Sequence, residues 1–269
     1  MRDWDDAYAN SAHIPGSGEF PARWAERAAA YRAGLRAFRP DIAYGAAERQ
    51  RLDLVLPDGE PKGLVVFVHG GYWMRFDKSF WTDLAEGARQ HGWAVALPSY
   101  TLAPAARVSD MTAEIAAAIA AAAALVEGPI RLAGHSAGGH LVTRMLCDDS
   151  RLEASVRDRI AATLSISGLH DLRPLLKTGM NVTLGLTMEE ATRESAALQL
   201  PRGKSPVIAW VGGDERPEFI RQSELLANVW TGFDVPTRLV VEAARNHFSV
   251  VDGLKDPSSQ VTASLIGLD

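Results

Sequence analysis

The sequence has 269 residues, of which 47% are hydrophobic and 23% charged, and its formal net charge at pH 7 is −5. These values are typical of a globular protein with one large α/β domain or two small ones. The 28 basic and 33 acidic residues are interspersed, and no basic block stands out. Nucleic acids and anionic membranes are therefore not expected as partners.

Cysteine and histidine usage gives no sign of a metal centre. Cys147 is the only cysteine, which excludes an intramolecular disulfide and favours a reducing, cytoplasmic location. Neither a Cys-x-x-Cys nor a His-Glu-x-x-His pattern occurs, and the seven histidines are dispersed. We therefore predict neither a metal nor a cofactor. The first residues are polar and acidic, and the longest apolar run, residues 115–126, is too short to cross a bilayer.

A helix is predicted ahead of the sheet, over residues 19–38. Apolar residues recur there on one face: Trp24, Tyr31, Leu35 and Phe38. We therefore predict that residues 1–41 form an amino-terminal helical extension to a single domain that spans residues 42–269. The extension is a candidate cover for a binding pocket. A contact with a partner subunit, and so a homodimer, stays open because the helix carries exposed aromatic candidates: Phe20, Trp24 and Tyr31.

Strand and helix patterns alternate along the rest of the chain. Residues 42–44 and 51–56 alternate apolar with polar, which suits antiparallel strands at a sheet edge. Six further runs suit parallel strands, at residues 64–68, 93–97, 130–133, 161–166, 207–211 and 237–241. Helices are predicted between them, at about residues 78–91, 110–127, 137–148, 189–198, 217–230 and 255–267. The pattern predicts an α/β fold with a mostly parallel eight-stranded sheet and helices on both faces.

A Gly-x-Ser-x-Gly turn occupies residues 134–138, between a short apolar strand and a helix. A serine on so tight a turn projects its hydroxyl above the sheet edge, and the flanking glycines keep Cβ atoms out of the crowded backbone. Ligands of parallel sheets bind at the carboxyl ends of the strands, so Ser136 is a candidate nucleophile. The N–H of Ala137 would complete an anion site at the helix start. His135 is expected to support the turn.

Two glycines follow the buried strand at residues 64–68, in the run His69-Gly70-Gly71-Tyr72-Trp73. The N–H groups of Gly70 and Gly71 can turn toward a ligand there, as an oxyanion hole requires. His69 is expected to hold this loop by hydrogen bonds. Large side chains follow the glycines and are predicted to line a pocket for an aromatic group, although core packing also suits the first two: Tyr72, Trp73 and Phe76.

The acid that would orient a catalytic base has two candidates. Asp214 follows two glycines directly after a predicted strand, where a carboxylate can hold an imidazole in one tautomer and stabilise its cation. Asp171 follows the preceding strand, but with Arg173 it is expected to organise its own loop. We therefore predict Asp214 as the acid, and we expect Glu215 and Glu218 to be solvated residues at a helix start.

His247 follows the last predicted strand and lies ahead of the final helix. A neutral imidazole with a pKa of about 6.5 can take a serine proton and return it to a leaving group, which makes His247 the predicted base. Asn246 is a candidate to fix the loop. The chain order is then Ser136, Asp214 and His247, with a glycine loop upstream, which is the order expected for an α/β-hydrolase.

These residues carry a resemblance to a known family. From about residue 42 to 267 the chain resembles the α/β-hydrolases, and its glycine loop and serine turn are similar to those of hormone-sensitive lipases and carboxylesterases. The Tyr-Trp pair after the double glycine, the helix before the sheet and the segment Ser-Gly-Leu-His-Asp-Leu-Arg-Pro-Leu at residues 167–175 look like those of kynurenine formamidases. Many esterases of this branch have three glycines where this chain has Tyr72 after two.

The resemblance implies a metal-free triad of Ser136, Asp214 and His247, with oxyanion donors at Gly70, Gly71 and Ala137. We expect a serine hydrolase that forms an acyl-enzyme with a small-molecule substrate. An aryl formamide such as N-formylkynurenine is the first expected substrate, and a small carboxylic ester is the second. The alternative from another class is a ligand-binding protein without turnover, because a fold alone does not establish activity. A metal-dependent formamidase is the least favoured of these functions, because the sequence has no cluster of histidine and cysteine residues that could bind a metal.

Overall fold

The computed structural model describes residues 3–268, and an eight-stranded sheet in the order β1-β2-β4-β3-β5-β6-β7-β8 forms its centre. The strands are β1 (Phe38–Ala43), β2 (Arg51–Val55), β3 (Leu64–Val68), β4 (Ala94–Pro98), β5 (Ile130–His135), β6 (Ile160–Ile166), β7 (Val207–Gly212) and β8 (Thr237–Glu242). Strand β2 runs antiparallel to β1 and β4, and the pairs from β4 onward to β8 are parallel. The predicted mostly parallel sheet is confirmed.

Helices cover both faces of the sheet. They are α1 (Trp4–Tyr8), α2 (Phe20–Gly34), α3 (Glu86–Gln90), α4 (Val108–Ala123), α5 (Ala137–Arg144), α6 (Ala154–Arg157), α7 (Asn181–Leu184), α8 (Met188–Arg193), α9 (Pro217–Thr231) and α10 (Gln260–Ile266). Alternate residues of β3 enter opposite cores: Val66 belongs to the core that includes side chains of α4, α5 and α9, whereas Phe67 belongs to the core that includes side chains of α2 and α10. Burial on both faces explains why this strand is a pure apolar run.

Several predicted helices differ from the structure: those predicted at residues 189–198 and 255–267 are shorter, since α8 ends at Arg193 and α10 begins at Gln260. The helix predicted over residues 19–38 ends at Gly34, and Phe38 already begins β1. The helix predicted over residues 78–91 is two short 3₁₀ turns followed by α3, because Trp81 has a φ of −130°, outside the helical range. Its ring instead packs against the ring of Trp24, with centroids 4.8 Å apart. Within residues 3–268 no helix is long and apolar enough to cross a membrane.

Three histidines near the sheet are buried and held neutral. Burial lowers the pKa of His69 to about 4 and the pKa values of His140 and His170 to about 3. An unfolded histidine titrates at about 6.5, so below that pH the unfolded chain binds more protons than the folded one. The stability gained by keeping these rings neutral is therefore lost as the pH falls from about 6.5 toward their folded pKa values.

We expect the free energy of unfolding to fall by up to about 1.4 kcal/mol per pH unit for each of these rings as the pH drops below about 6.5. Urea denaturation at several pH values between 7 and 5 measures this slope. The His170→Gln variant should show a shallower slope by about one histidine's share, because its ring is buried and neutral and, within residues 3–268, hydrogen-bonds to the hydroxyls of Thr143 and Ser165 at 3.3 Å, which an amide can also reach. An unchanged slope in that variant would contradict the assignment.

Candidate active site

Ser136 lies on the sharp turn between β5 and α5, with a φ of 56° and a ψ of −118°. A residue with a side chain adopts such angles only when the surrounding structure imposes them. The turn has no room for neighbouring side chains, because a Cβ on Gly134 would collide with the backbone of Gly138, and a Cβ on Gly138 would collide with the backbone of Val68. The glycine spacing therefore follows from steric need, and it leaves the serine at the carboxyl end of β5.

His247 lines the same cavity as Ser136, as the sequence order predicts. Its backbone carbonyl accepts a hydrogen bond from Nε2 of His135 at 2.9 Å, and its ring packs against Phe219 with centroids 4.5 Å apart. Burial lowers the pKa of His135 well below its ordinary value, so this second imidazole is neutral and supports the His247 loop. Among the described residues no hydrogen bond joins the side chains of Ser136 and His247, and such contacts often tighten only around substrate.

The carboxylate beside His247 belongs to Glu215. Its Oε2 lies 2.6 Å from Nδ1 of His247, and the side chain of Glu215 is fully buried. Its Oε1 accepts hydrogen bonds from the N–H of Gly212, at 2.8 Å, and from the hydroxyl of Ser167. The carboxylate is thus held on both oxygens and presents one of them to the imidazole, which fixes the Nδ1–H tautomer and leaves Nε2 free to accept a proton.

The prediction of Asp214 at this place was wrong, and the turn after β7 explains why. The N–H of Glu215 donates to the carbonyl of Gly212 at 3.3 Å, so four residues form a turn whose tip is Asp214. Asp214 is exposed there, whereas Glu215 comes back over the end of the strand. The sequence shows two adjacent acids after a double glycine, and nothing in it indicates which of the two faces inward.

The other two acidic residues singled out from the sequence, Asp171 and Glu218, have partners other than His247. Asp171 forms an ion pair with Arg173, with Oδ1 and Nε 2.9 Å apart, and so organises its own loop as expected. Glu218 was predicted to be solvated, but it is buried at the start of α9 and accepts a hydrogen bond from the hydroxyl of Tyr8 at 3.0 Å. Glu218 therefore anchors the amino-terminal segment, a contact that no local sequence pattern predicts.

The glycine loop after β3 sits directly against the serine turn. A Cβ on Gly70 would lie 2.9 Å from the Cβ of Ser136, and Gly71 has a φ of 111°, so glycine is favoured at both places. Gly70 and Gly71 line the cavity. Within residues 3–268 their N–H groups and that of Ala137, the first residue of α5, have no acceptor. Free donors beside a serine hydroxyl can hold a developing negative charge.

The predicted pocket residues divide into two groups. Tyr72 and Phe76 line the cavity, whose volume is about 640 Å³. Trp73 does not: it is fully buried, and its ring meets that of His140 edge-on at 5.2 Å, so the prediction of a pocket role for Trp73 was wrong. The backbone of Tyr72 and Trp73 has positive φ values of 52° and 59°, which turn successive side chains away from the course that an extended loop would give them.

The amino-terminal extension forms one wall of the cavity. Tyr8, Asn10 and Trp24 line it, as do neighbouring residues of the segment between α1 and α2. The hydroxyl of Tyr72 donates to the carbonyl of Tyr8 at 2.6 Å and accepts from the side-chain amide of Asn10 at 3.2 Å. Asp5 accepts from the N–H of Gly179 at 2.7 Å, which ties the segment down at a second place.

The aromatic residues of α2 contact other parts of the same chain. Phe20 packs on Phe248 with ring centroids 5.2 Å apart, and the hydroxyl of Tyr31 donates to Glu86. Among the described residues no group of three or more histidine, cysteine, aspartate or glutamate side chains is arranged to hold a metal ion.

Comparison with known proteins places the chain in a family. The model of the alpha/beta hydrolase family matches residues 65–266. The kynurenine formamidase of Danio rerio is 27% identical over 99% of this chain and 98% of its own length, and that of Salmo salar is 28% identical over 87% and 82%. A protein of Silicibacter sp. TM1040 with the provisional name of thioesterase is 46% identical, with a TM-score of 0.95 over 99% of this chain and 100% of its own.

Esterase B of Lactobacillus rhamnosis shares the fold at 18% identity, with a TM-score of 0.69 over 92% of this chain and 91% of its own. The resemblance drawn from the glycine loop and the serine turn is thus confirmed. The matched region runs from β3 to α10 and contains Gly70, Gly71, Ser136, Glu215 and His247, whereas the cavity wall formed by the amino-terminal segment lies outside it. The chain belongs to the α/β-hydrolase family and is a hydrolase.

Proposed function

We propose that the protein is a serine hydrolase that cleaves an aryl formamide such as N-formylkynurenine through an acyl-enzyme. The observation that carries the proposal is the pairing of His247 with the buried carboxylate of Glu215 in the cavity that Ser136 lines. Relatives named kynurenine formamidase, which align over nearly the whole chain, favour the formamide over other acyl compounds. The triad of this proposal is Ser136, Glu215 and His247.

The reaction begins when Oγ of Ser136 attacks the formyl carbon while Nε2 of His247 takes the hydroxyl proton. Glu215 holds the ring and stabilises the imidazolium that forms. The negative oxygen of the tetrahedral intermediate points to the free N–H groups of the glycine loop and of Ala137. The C–N bond then breaks, and the imidazolium gives its proton to the departing aryl amine, which leaves a formyl ester on Ser136.

Water completes the cycle. His247 takes a proton from water as the oxygen attacks the formyl ester, and a second tetrahedral intermediate collapses to release formate and restore the serine hydroxyl. These steps require no metal ion.

The cavity wall supports an aromatic substrate. Rings of Trp24, Phe76, Trp81 and Phe248 surround a space of about 640 Å³. Such a space fits a substituted benzene ring, and aromatic walls bind another ring by edge and face contacts. A small carboxylic ester is the second candidate, because the same triad would cleave it and because solved esterases share the fold.

The experiment compares kcat/KM for N-formylkynurenine, p-nitrophenyl acetate and a short acyl thioester, with the Ser136→Ala variant as the background. The proposal expects the formamide to be hydrolysed at least as efficiently as the ester. A preference for the ester above about a thousandfold, which corresponds to about 4 kcal/mol, would reject the formamidase assignment and leave an esterase. The thioester tests the provisional name of the Silicibacter relative.

A further inference from the structure

The cavity wall carries a positive charge without a counter-ion. Arg75 lines the cavity with Ser136 and His247, and among the described residues no aspartate or glutamate lines it. The side chain of Arg75 is exposed and has neither an ion pair nor a hydrogen bond within residues 3–268. Arg49, in contrast, donates to the carbonyls of Tyr100 and Phe76 and so has a structural role. An unpaired guanidinium in a pocket of a chain with net charge −5 is a place for an anion.

The backbone around Arg75 is fixed. Its N–H donates to the carbonyl of Gly71 at 3.0 Å, and a Cβ on Gly71 would press against the carbonyl of Arg75. The residues at both sides of this short loop, Trp73 and Phe76, have φ values of 59° and 71°. One short loop thus carries both the glycines beside Ser136 and the backbone of Arg75, so the fold places the base of the arginine side chain close to the serine turn.

We propose that Arg75 is a specificity residue that binds a carboxylate on the aryl substrate while Ser136 attacks the acyl group. A guanidinium offers parallel N–H donors to the two oxygens of a carboxylate, which gives orientation as well as affinity. The aromatic walls hold the ring, and Arg75 determines which end of the molecule lies away from the serine. This inference rests on the proposed function only in that Ser136 hydrolyses an aryl acyl compound.

The test uses a matched pair of substrates: a 2-formamidophenyl ketone with a carboxylate on its side chain, and the same compound with a carboxamide in its place. The measured quantity is the ratio of kcat/KM for the acid to kcat/KM for the amide. We expect the Arg75→Gln variant to lower this ratio about tenfold, mainly through KM, and Arg75→Lys to lower it less. Salt should reduce the wild-type ratio, because the guanidinium is exposed and its attraction is screened.

The control variant is Arg151→Gln, which removes an exposed arginine that does not line the cavity and should leave the ratio unchanged. A ratio that is equal in the wild type and in Arg75→Gln overturns the role of Arg75. If the wild type cleaves neither formamide, the proposed function fails. The role of Arg75 is then tested by the ratio of kcat/KM for 4-acetoxybenzoate to kcat/KM for 4-acetoxybenzamide. If neither ester is cleaved, calorimetry compares the affinities of the wild type and Arg75→Gln for the deformylated acid and the deformylated amide.

Discussion

The Ser136→Ala variant is expected to lose about 10⁶-fold in kcat on whichever acyl substrate the wild type prefers, because the attacking oxygen is removed and no covalent intermediate can form. Residual hydrolysis should remain above the rate in water, since the free N–H groups of Gly70, Gly71 and Ala137 would still polarise a bound carbonyl. The fold should persist, because within the described chain the Ser136 hydroxyl holds no partner in place. Steady-state kinetics with a melting curve for each protein measures both outcomes.

Covalent labelling tests the role of Ser136 independently of the kinetics. A fluorophosphonate reagent should modify the wild type once, at Ser136, and peptide mass spectrometry locates the adduct. Ser258→Ala, at an exposed serine on the turn before α10, is the matched control and should label like the wild type. If Ser136→Ala keeps its turnover, or if no serine is labelled, the serine mechanism fails and a binding protein on a hydrolase scaffold becomes the better description.

The Glu215→Gln variant is expected to lower kcat by about 10⁴-fold, although the two side chains have the same shape. An amide would offer N–H groups to Nδ1 of His247, which favours the tautomer with its proton on Nε2, and that nitrogen must be free to take the serine proton. The neutral amide would also fail to stabilise the imidazolium. Asp214→Asn, the change at the adjacent exposed acid, should alter kcat less than about twofold.

The two variants together decide which acid belongs to the triad. Circular dichroism should accompany the kinetics, because Glu215 also accepts from Gly212 and Ser167, and a folding defect would mimic a catalytic one. A larger loss in Asp214→Asn than in Glu215→Gln would show that the loop after β7 rearranges during the reaction. Equal, small losses in both would remove the carboxylate from the mechanism.

The sheet and the serine turn could be predicted from the sequence because each reflects a strong local constraint. Strand β3 is buried on both faces and so shows an unbroken apolar run, and the Ser136 turn admits only glycine at two neighbouring positions. The acid could not be chosen in the same way. Asp214 and Glu215 are adjacent and both can pair with an imidazole, and only the four-residue turn decides which one faces His247.

Trp73 and the amino-terminal segment are further parts of the structure that could not be predicted from the sequence. Trp73 is a pocket candidate in the sequence because large side chains follow the double glycine, but Tyr72 and Trp73 have positive φ values that the residue types do not reveal, and Trp73 packs in the core. Helix α1 and the segment after it have no apolar periodicity, yet Tyr8 and Asn10 form part of the cavity wall. Their contacts depend on partners far along the chain, which a local pattern cannot reveal.

The bond between Tyr8 and Glu218 joins residues 210 positions apart, and it bears on how the protein is made. At a translation rate of about 5–20 residues per second, Glu218 is synthesised about 10–40 s after Tyr8. Throughout that interval α1 lacks its hydrogen bond to α9, although its partners at Tyr72 and Gly179 are made earlier in synthesis. The cavity wall is therefore completed only after α9 and the loop of His247 have been synthesised, however early the central strands assemble.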